Sequence, residues 1–426
     1  MHALGSWMVP RLSTLLAPLP LFLLVGCAAL PTPVVLNGDA LTFKGMSALA
    51  GEAAPGRPLH VLLVHGMGTP TPNGFDPFIA SLAGRFGLVQ IPPHDPQAQW
   101  QGCYSKTTPG QPALVQPTPE SIDNSAVFRD NRALLYTYNF AARPADPPQL
   151  TVSYLLWAPL TAPVKCKLET EDDSAPAKQA FANIAKDFID DKLADALLYA
   201  GSYRKEVIRP SVQGALCKVT EGTWDPANNK CTPGPYHDPT VIITHSLGGY
   251  MLMDAIKAEL REDDCGGPAE QILEYTPAIY MMANQLALLN LSTLRRDAQA
   301  PKTATADVDV VTKQFAKCWL IARAKRAKSE GRLTETAPLS QVVAFSDPND
   351  ILSWRVEPKN LKLPKPNWGQ VAVTNVYMSN GELSVPGLFS DPTKAHTGYF
   401  ANPTVMDMLI CGINNNSPCA VSVSAH

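Results

Sequence analysis

The sequence predicts an α/β protein: a central, mostly parallel sheet flanked by helices. Short apolar runs of strand length recur along the chain at His60-Val61-Leu62-Leu63-Val64, Val241-Ile242-Ile243-Thr244, 278–283 (AIYMMA), 341–345 (QVVAF) and 371–378 (VAVTNVYM). They are near-continuous rather than alternating, as strands buried on both faces are. Stretches of helical character lie between them, which is the α/β pattern. The chain has 426 residues, 45% of them hydrophobic and only 17% charged, so it can fill a large core and is not a disordered polymer. Lysine and arginine number 35 against 38 aspartates and glutamates, a net charge of −3. That balance gives no electrostatic footprint for nucleic acid. Forty prolines, near twice the usual share of about 5%, predict many ordered turns.

Residues 1–26 read as an address rather than as fold. Arg11 is followed by an uncharged, mostly apolar run over 12–26, interrupted by Pro18 and Pro20. The run is short for a membrane span of about 20 apolar residues and suits a secretory signal. It ends in Leu24-Val25-Gly26-Cys27, which resembles a bacterial lipobox. The resemblance implies that Cys27 is diacylated and becomes the first residue of the mature chain. Ala28, a non-Asp residue, implies sorting to the outer membrane, with the domain facing the periplasm. No other stretch of the sequence is long and apolar enough to span a bilayer.

Residues 27–56 are expected to form a tether and a first strand near VVLNGDALTF, and 57–412 the main domain, with a tail over 413–426. Helices are expected within 74–88, from about 176 to 209, after Thr244, and near 402–411. In the second of these, Phe181, Ile184, Phe188, Leu193 and Leu197 fall near helical spacing, and Pro210 should end or kink it. Strands are expected at 133–139 and 150–157. The segments 92–130 and 165–235 are excursions. Two βα units of about 30 residues each account for far less chain than separates His65 from Ser246. Such excursions form either a cap over a site or decoration remote from it.

Beyond Cys27, eight of the nine cysteines remain, an even number in an oxidising compartment. Cys217 with Cys231 and Cys411 with Cys419 each flank a polar, turn-rich loop and are the favoured disulfide pairs. Cys103, Cys166, Cys265 and Cys318 stay open. No C-x-x-C or H-E-x-x-H spacing occurs, so no metal site is expected.

Four motifs carry chemistry. In Thr244-His245-Ser246-Leu247-Gly248-Gly249 a strand feeds a tight turn and then a helix, the setting that pushes a serine hydroxyl into the open. Thr244 stands where glycine is usual. His65-Gly66-Met67-Gly68 ends an early buried strand, where α/β proteins bind ligands. The backbone N–H groups of Met67 and Leu247 are candidate donors to a developing oxyanion. Of eight histidines, only His396 and the terminal His426 follow Ser246, and His396 sits in a loop between a strand and a helix, so His396 is the candidate base. The acid should follow a strand between Ser246 and His396. Two aspartates of Ser346-Asp347-Pro348-Asn349-Asp350 compete, Asp350 first because apolar residues follow it, and Asp347 second.

These motifs, VHGMG, THSLGG, FSDPND and AHTGYF, in the order Ser246, Asp350, His396, resemble the α/β-hydrolase superfamily. The resemblance covers roughly residues 57–412. It implies a large inserted cap or excursion on a mostly parallel sheet, a Ser-His-Asp triad, an oxyanion hole of backbone amides, and no metal or organic cofactor. The expected function is a serine hydrolase cleaving carboxylic esters, esterase- or lipase-like, on a small-molecule or lipid substrate, held at a membrane by its lipid anchor. An acyltransferase, an amidase or thioesterase, and a non-catalytic binding protein on the same fold are the rival readings.

Overall fold

The computed structural model describes residues 34–52, 56–93, 120–122, 132–173, 189–290, 310–331, 340–361, 370–380, 392–413 and 423–425. Eight strands define its centre: β1 (Val34–Gly38), β2 (Leu59–Val64), β3 (Ala133–Ala141), β4 (Leu150–Leu156), β5 (Thr240–His245), β6 (Ala278–Met282), β7 (Ser340–Ser346) and β8 (Val371–Tyr377). Their order across the sheet is β1-β8-β7-β6-β5-β2-β4-β3. The six strands from β8 to β4 are all parallel, while β1 and β3 run antiparallel to their neighbours. Short strands complete the edges: Val423–Ala425 on β1, and Val89–Gln90 and Glu120–Ile122 on β3.

The apolar runs are continuous because both faces of the sheet are covered. Leu62, Ile242, Ile279 and Val342 pack on one face with the helices Arg209–Val219, Leu247–Ala258 and Val310–Ser329. Their neighbours Val61, Val241, Tyr280 and Val343 pack on the other with Asp76–Arg85 and Pro403–Cys411. The two-residue period thus sorts one apolar run into two cores.

Helices follow strands where 74–88 and 402–411 were expected. The expected long helix near 176–209 is not formed as one element. Phe181, Ile184 and Phe188 lie outside the described residues. Over the described residues it is interrupted once, at Gly201-Ser202: Ile189–Leu193 runs directly into Ala194–Ala200, and Arg204–Ile208 directly into Arg209–Val219. Leu193 and Leu197 are 40% and 64% exposed, so their helical spacing does not mark the packed face. Pro210 does not end the segment. It stands in the first turn of Arg209–Val219, where its missing N–H is no loss.

The expected first strand is β1, which is paired along its length with β8, so the sheet begins before residue 57. The residues 120–122 of the first excursion add a strand to β3; most of that excursion, Cys27, expected to carry the lipid anchor, and Cys103 and Cys419 lie outside the described residues. Among the described residues no helix is long and apolar enough to cross a membrane.

A disulfide joins Cys217, in the helix Arg209–Val219, to Cys231, in the second strand of a small hairpin. A second bridge, Cys265–Cys318, closes 53 residues and ties the loop after Leu247–Ala258 to Val310–Ser329. Cys166 and Cys411 are also disulfide-bonded. A cross-link over a loop that long restricts the unfolded chain by about 4 kcal/mol in the chain-entropy account. Replacing Cys265 and Cys318 together by serine should lower unfolding free energy by about 2–4 kcal/mol. The measurement is a urea melt, with a lower midpoint and a steeper slope as the expected result, because the unfolded chain expands once the cross-link is gone.

Candidate active site

The parallel register brings the strand ends level: Val64 pairs with Thr244, His245 with Met282, and Met282 with Phe345. His65, Ser246, Ala283 and Asp347 therefore emerge in a row along one edge. Between β2 and β5 the chain also changes direction across the sheet, since β4 lies on one side and β6 on the other. Crevices at such switch points are where open α/β sheets hold ligands.

Ser246 stands at the junction of β5 and the helix Leu247–Ala258 with φ 52° and ψ −125°. A serine at positive φ is uncommon and costs about 1–3 kcal/mol when the surroundings enforce it. Here they do. A Cβ on Gly66 would lie 2.6 Å from the Ser246 Cβ, and one on Gly248 would lie 2.5 Å from the His65 carbonyl oxygen. The Ser246 N–H donates to the Met282 carbonyl at 2.8 Å. Thr244, the departure from the usual glycine, is buried, with its Oγ1 where it would sit 3.0 Å from a Cβ on Gly249.

His396 lies in the short helix Pro392–Thr397 and is buried. Its Nδ1–H donates to Asp350 at 2.9 and 3.0 Å from the two carboxylate oxygens. That bond puts the proton on Nδ1 and the lone pair on Nε2. His396 Nε2 and Ser246 Oγ are both buried without a hydrogen-bond partner. His245 connects them: its backbone carries Ser246, its Nε2–H donates to the His396 carbonyl at 2.8 Å, and the two rings lie 4.9 Å apart. Burial, then the neighbouring His396, lowers the His245 pKa to about 3, which keeps its ring neutral.

Asp350 is the aspartate that meets the imidazole. It also accepts from the Leu352 N–H at 2.9 Å and the Tyr399 hydroxyl at 3.1 Å. Asp347 makes no such contact. It braces its own turn through the Asn349 backbone and side chain, and it accepts from the Asn380 N–H at 2.6 Å. Asn380 in turn donates to the Ala395 carbonyl beside His396. Tyr399 joins the two loops by accepting from the Asp347 N–H at 2.7 Å. Burial and the Asp350 carboxylate push the Tyr399 phenol well above its ordinary range, so it stays a donor. Its position was legible in the AHTGYF segment, but its role was not.

The loop after β2 is fixed by His65. Its Nδ1–H donates to the Gly66 carbonyl at 2.7 Å, and its Nε2 accepts from the Trp157 N–H at 3.0 Å. The Trp157 indole N–H returns a bond to the His65 carbonyl, and the two rings stack at 4.8 Å. Leu247 is the first residue of its helix, so its N–H has no acceptor within the helix. Met67 and His245 line a cavity of about 660 Å³. Phe75, Phe78 and Phe400 give that cavity an aromatic wall, and Asp191 and Lys192 give it a charged rim. A smaller cavity of about 450 Å³ lies beside Leu59 at the start of β2, away from every candidate catalytic group. Among the described residues no cluster of histidine, cysteine, aspartate or glutamate has the form of a metal site.

Burial holds the His65 pKa down to about 3, against an ordinary 6.5. The unfolded chain therefore takes up a proton below about 6.5 that the folded chain refuses. The stability that neutral His65 contributes is whole above that pH and is lost as the pH falls toward 3. A His65→Asn variant lacks this titration. The excess stability of wild type over the variant should shrink by about 2–3 kcal/mol between about pH 7.5 and about pH 4.5. Urea melts at the two pH values check it, and a constant difference would contradict it.

No protein-family model, no curated protein and no solved structure matches this chain, so the functional reading stands on the fold and on this geometry.

Proposed function

We propose that the chain is a serine hydrolase of the α/β-hydrolase type that cleaves carboxylic esters. The observation that carries the reading is Ser246 at positive φ on a strand-to-helix turn, with the adjoining His245 packed on a buried His396 whose Nδ1 is clamped by Asp350. Nothing in packing alone requires a buried hydroxyl and a buried imidazole nitrogen that both lack partners. In this reading each is the other's partner in the reaction.

His396 Nε2 takes the hydroxyl proton as Ser246 Oγ bonds to the ester carbonyl carbon. The carbonyl π electrons move onto oxygen, and the N–H groups of Met67 and Leu247 stabilise that oxyanion. As the tetrahedral intermediate collapses, the carbon–alkoxide bond breaks, and the proton on Nε2 passes to the leaving alcohol. Water then attacks the acyl-enzyme, His396 takes its proton, and the acid leaves with Ser246 restored. Asp350 holds the imidazole in the required tautomer and stabilises its charged form. The aromatic wall of the cavity suits an apolar acyl or alcohol group. No metal or organic cofactor enters these steps. The lipobox-like Leu24-Val25-Gly26-Cys27 supports a lipid anchor at Cys27, with the enzyme on the periplasmic side of an outer membrane and its substrates small-molecule or lipid esters.

Hydrolysis of 4-nitrophenyl esters of graded chain length tests the assignment. Ser246→Ala should abolish turnover, and Asp350→Asn should lower kcat by about 10³- to 10⁴-fold by leaving the wrong imidazole tautomer. Asp347→Asn, whose side chain touches neither His396 nor Ser246, should stay within about 10-fold of wild type. Turnover that survives Ser246→Ala would overturn the reading.

A further inference from the structure

We infer that a buried ion cluster in the second excursion, Lys165 with Asp191 and Asp195, is a positioning device for the oxyanion loop. This rests on the hydrolase reading and extends it to residues outside the triad.

Lys165 is fully buried, and its ammonium donates to the Asp191 carbonyl at 2.9 Å, the Asp191 carboxylate at 3.1 Å and the Asp195 carboxylate at 3.0 Å. These three acceptors match the three N–H bonds of an ammonium. Burial raises the Asp195 pKa to about 6, against the pull of Lys165. A buried ion pair is a poor route to stability, because desolvation offsets its attraction. The cluster's outward contacts point to another role. Both carboxylates also hold the loop after β2. Asp195 Oδ2 accepts from the Gly68 N–H at 2.8 Å, and Asp191 Oδ1 accepts from the Thr69 hydroxyl at 2.7 Å. Gly68 has φ +100°, a conformation that needs glycine and that the loop must be held in.

Met67 lies between two clamps. On one side Gly66 is fixed by His65 and Trp157. On the other Gly68 and Thr69 are fixed by the excursion. The direction of the Met67 N–H is set by the peptide planes between them. Asp191 and its neighbour Lys192 also line the cavity. The same short segment therefore forms a wall of the substrate cavity and holds the oxyanion loop, so the excursion is coupled to the chemistry and is not remote decoration.

The test compares Asp195→Ala, Asp195→Asn, Lys165→Met and Thr69→Val with wild type in the full-length chain. It uses a short-chain 4-nitrophenyl ester and the rate of inactivation by a fluorophosphonate. A misplaced donor should lower kcat and the inactivation rate together, by about 10- to 100-fold for Asp195→Ala and Lys165→Met, with KM within about 3-fold. Asp195→Asn, which keeps an acceptor for Gly68, should recover part of the loss. Thr69→Val removes one hydrogen bond at a half-buried position and leaves the ion cluster intact, so it reads the same effect in a folded protein if the buried variants do not fold. Its expected loss is about 3- to 10-fold. Wild-type kcat and inactivation rate in folded Lys165→Met or Thr69→Val would overturn the positioning role, as would a loss confined to KM. An inert wild type would instead sink the hydrolase reading on which the role rests.

Discussion

The constraint on which the rest depends is the backbone of Ser246. A residue at φ 52° persists only where packing leaves no alternative. Parallel pairing of β2 with β5 sets the ends of the two strands side by side. The missing side chains of Gly66 and Gly248 then let the two turns interlock within contact distance. Relaxing Ser246 would mean separating the helix Leu247–Ala258 from the end of β2, and that helix carries ten buried residues. The strain is therefore held by the core of the molecule rather than by the loop itself.

Around this fixed point the neighbouring groups are oriented by one another. Tyr399 and the Leu352 N–H orient Asp350, which orients His396; His245 holds the His396 backbone from the serine side. His65 and Trp157 hold one flank of the loop after β2, and the Lys165 cluster holds the other. Two of the three histidines at the site, His65 and His245, are kept neutral by burial and act as fixed hydrogen-bonding parts. Only His396 presents a buried ring nitrogen without a partner. In the proposed mechanism that division of labour separates scaffold from base among chemically identical side chains.

The central strands were legible because burial on both faces leaves a run of apolar residues that no helix of that length shows. The two- and three-residue edge strands Val89–Gln90, Glu120–Ile122 and Val423–Ala425 were not, since so few residues carry no period. Motif order pointed to Ser246 and His396, which the fold brings to one edge of the sheet. The choice of Asp350 over Asp347 rested in sequence on the apolar residues after it. In the structure it rests on the His396 and Tyr399 contacts, which span 46 and 49 residues. Cys265–Cys318 and the Lys165 cluster left no local signal. Only tertiary packing buries Lys165 and Asp195. The helix expected near 176–209 is interrupted at Gly201-Ser202, and Leu197, although at helical spacing, is 64% exposed.

The most direct test of the central claim is to label the folded, disulfide-intact protein with a fluorophosphonate and locate the adduct by peptide mass mapping. The account predicts one adduct, on Ser246, because that hydroxyl alone combines the strained turn with the oriented imidazole. An unlabelled protein, or an adduct on another residue with Ser246 unmodified, would contradict it.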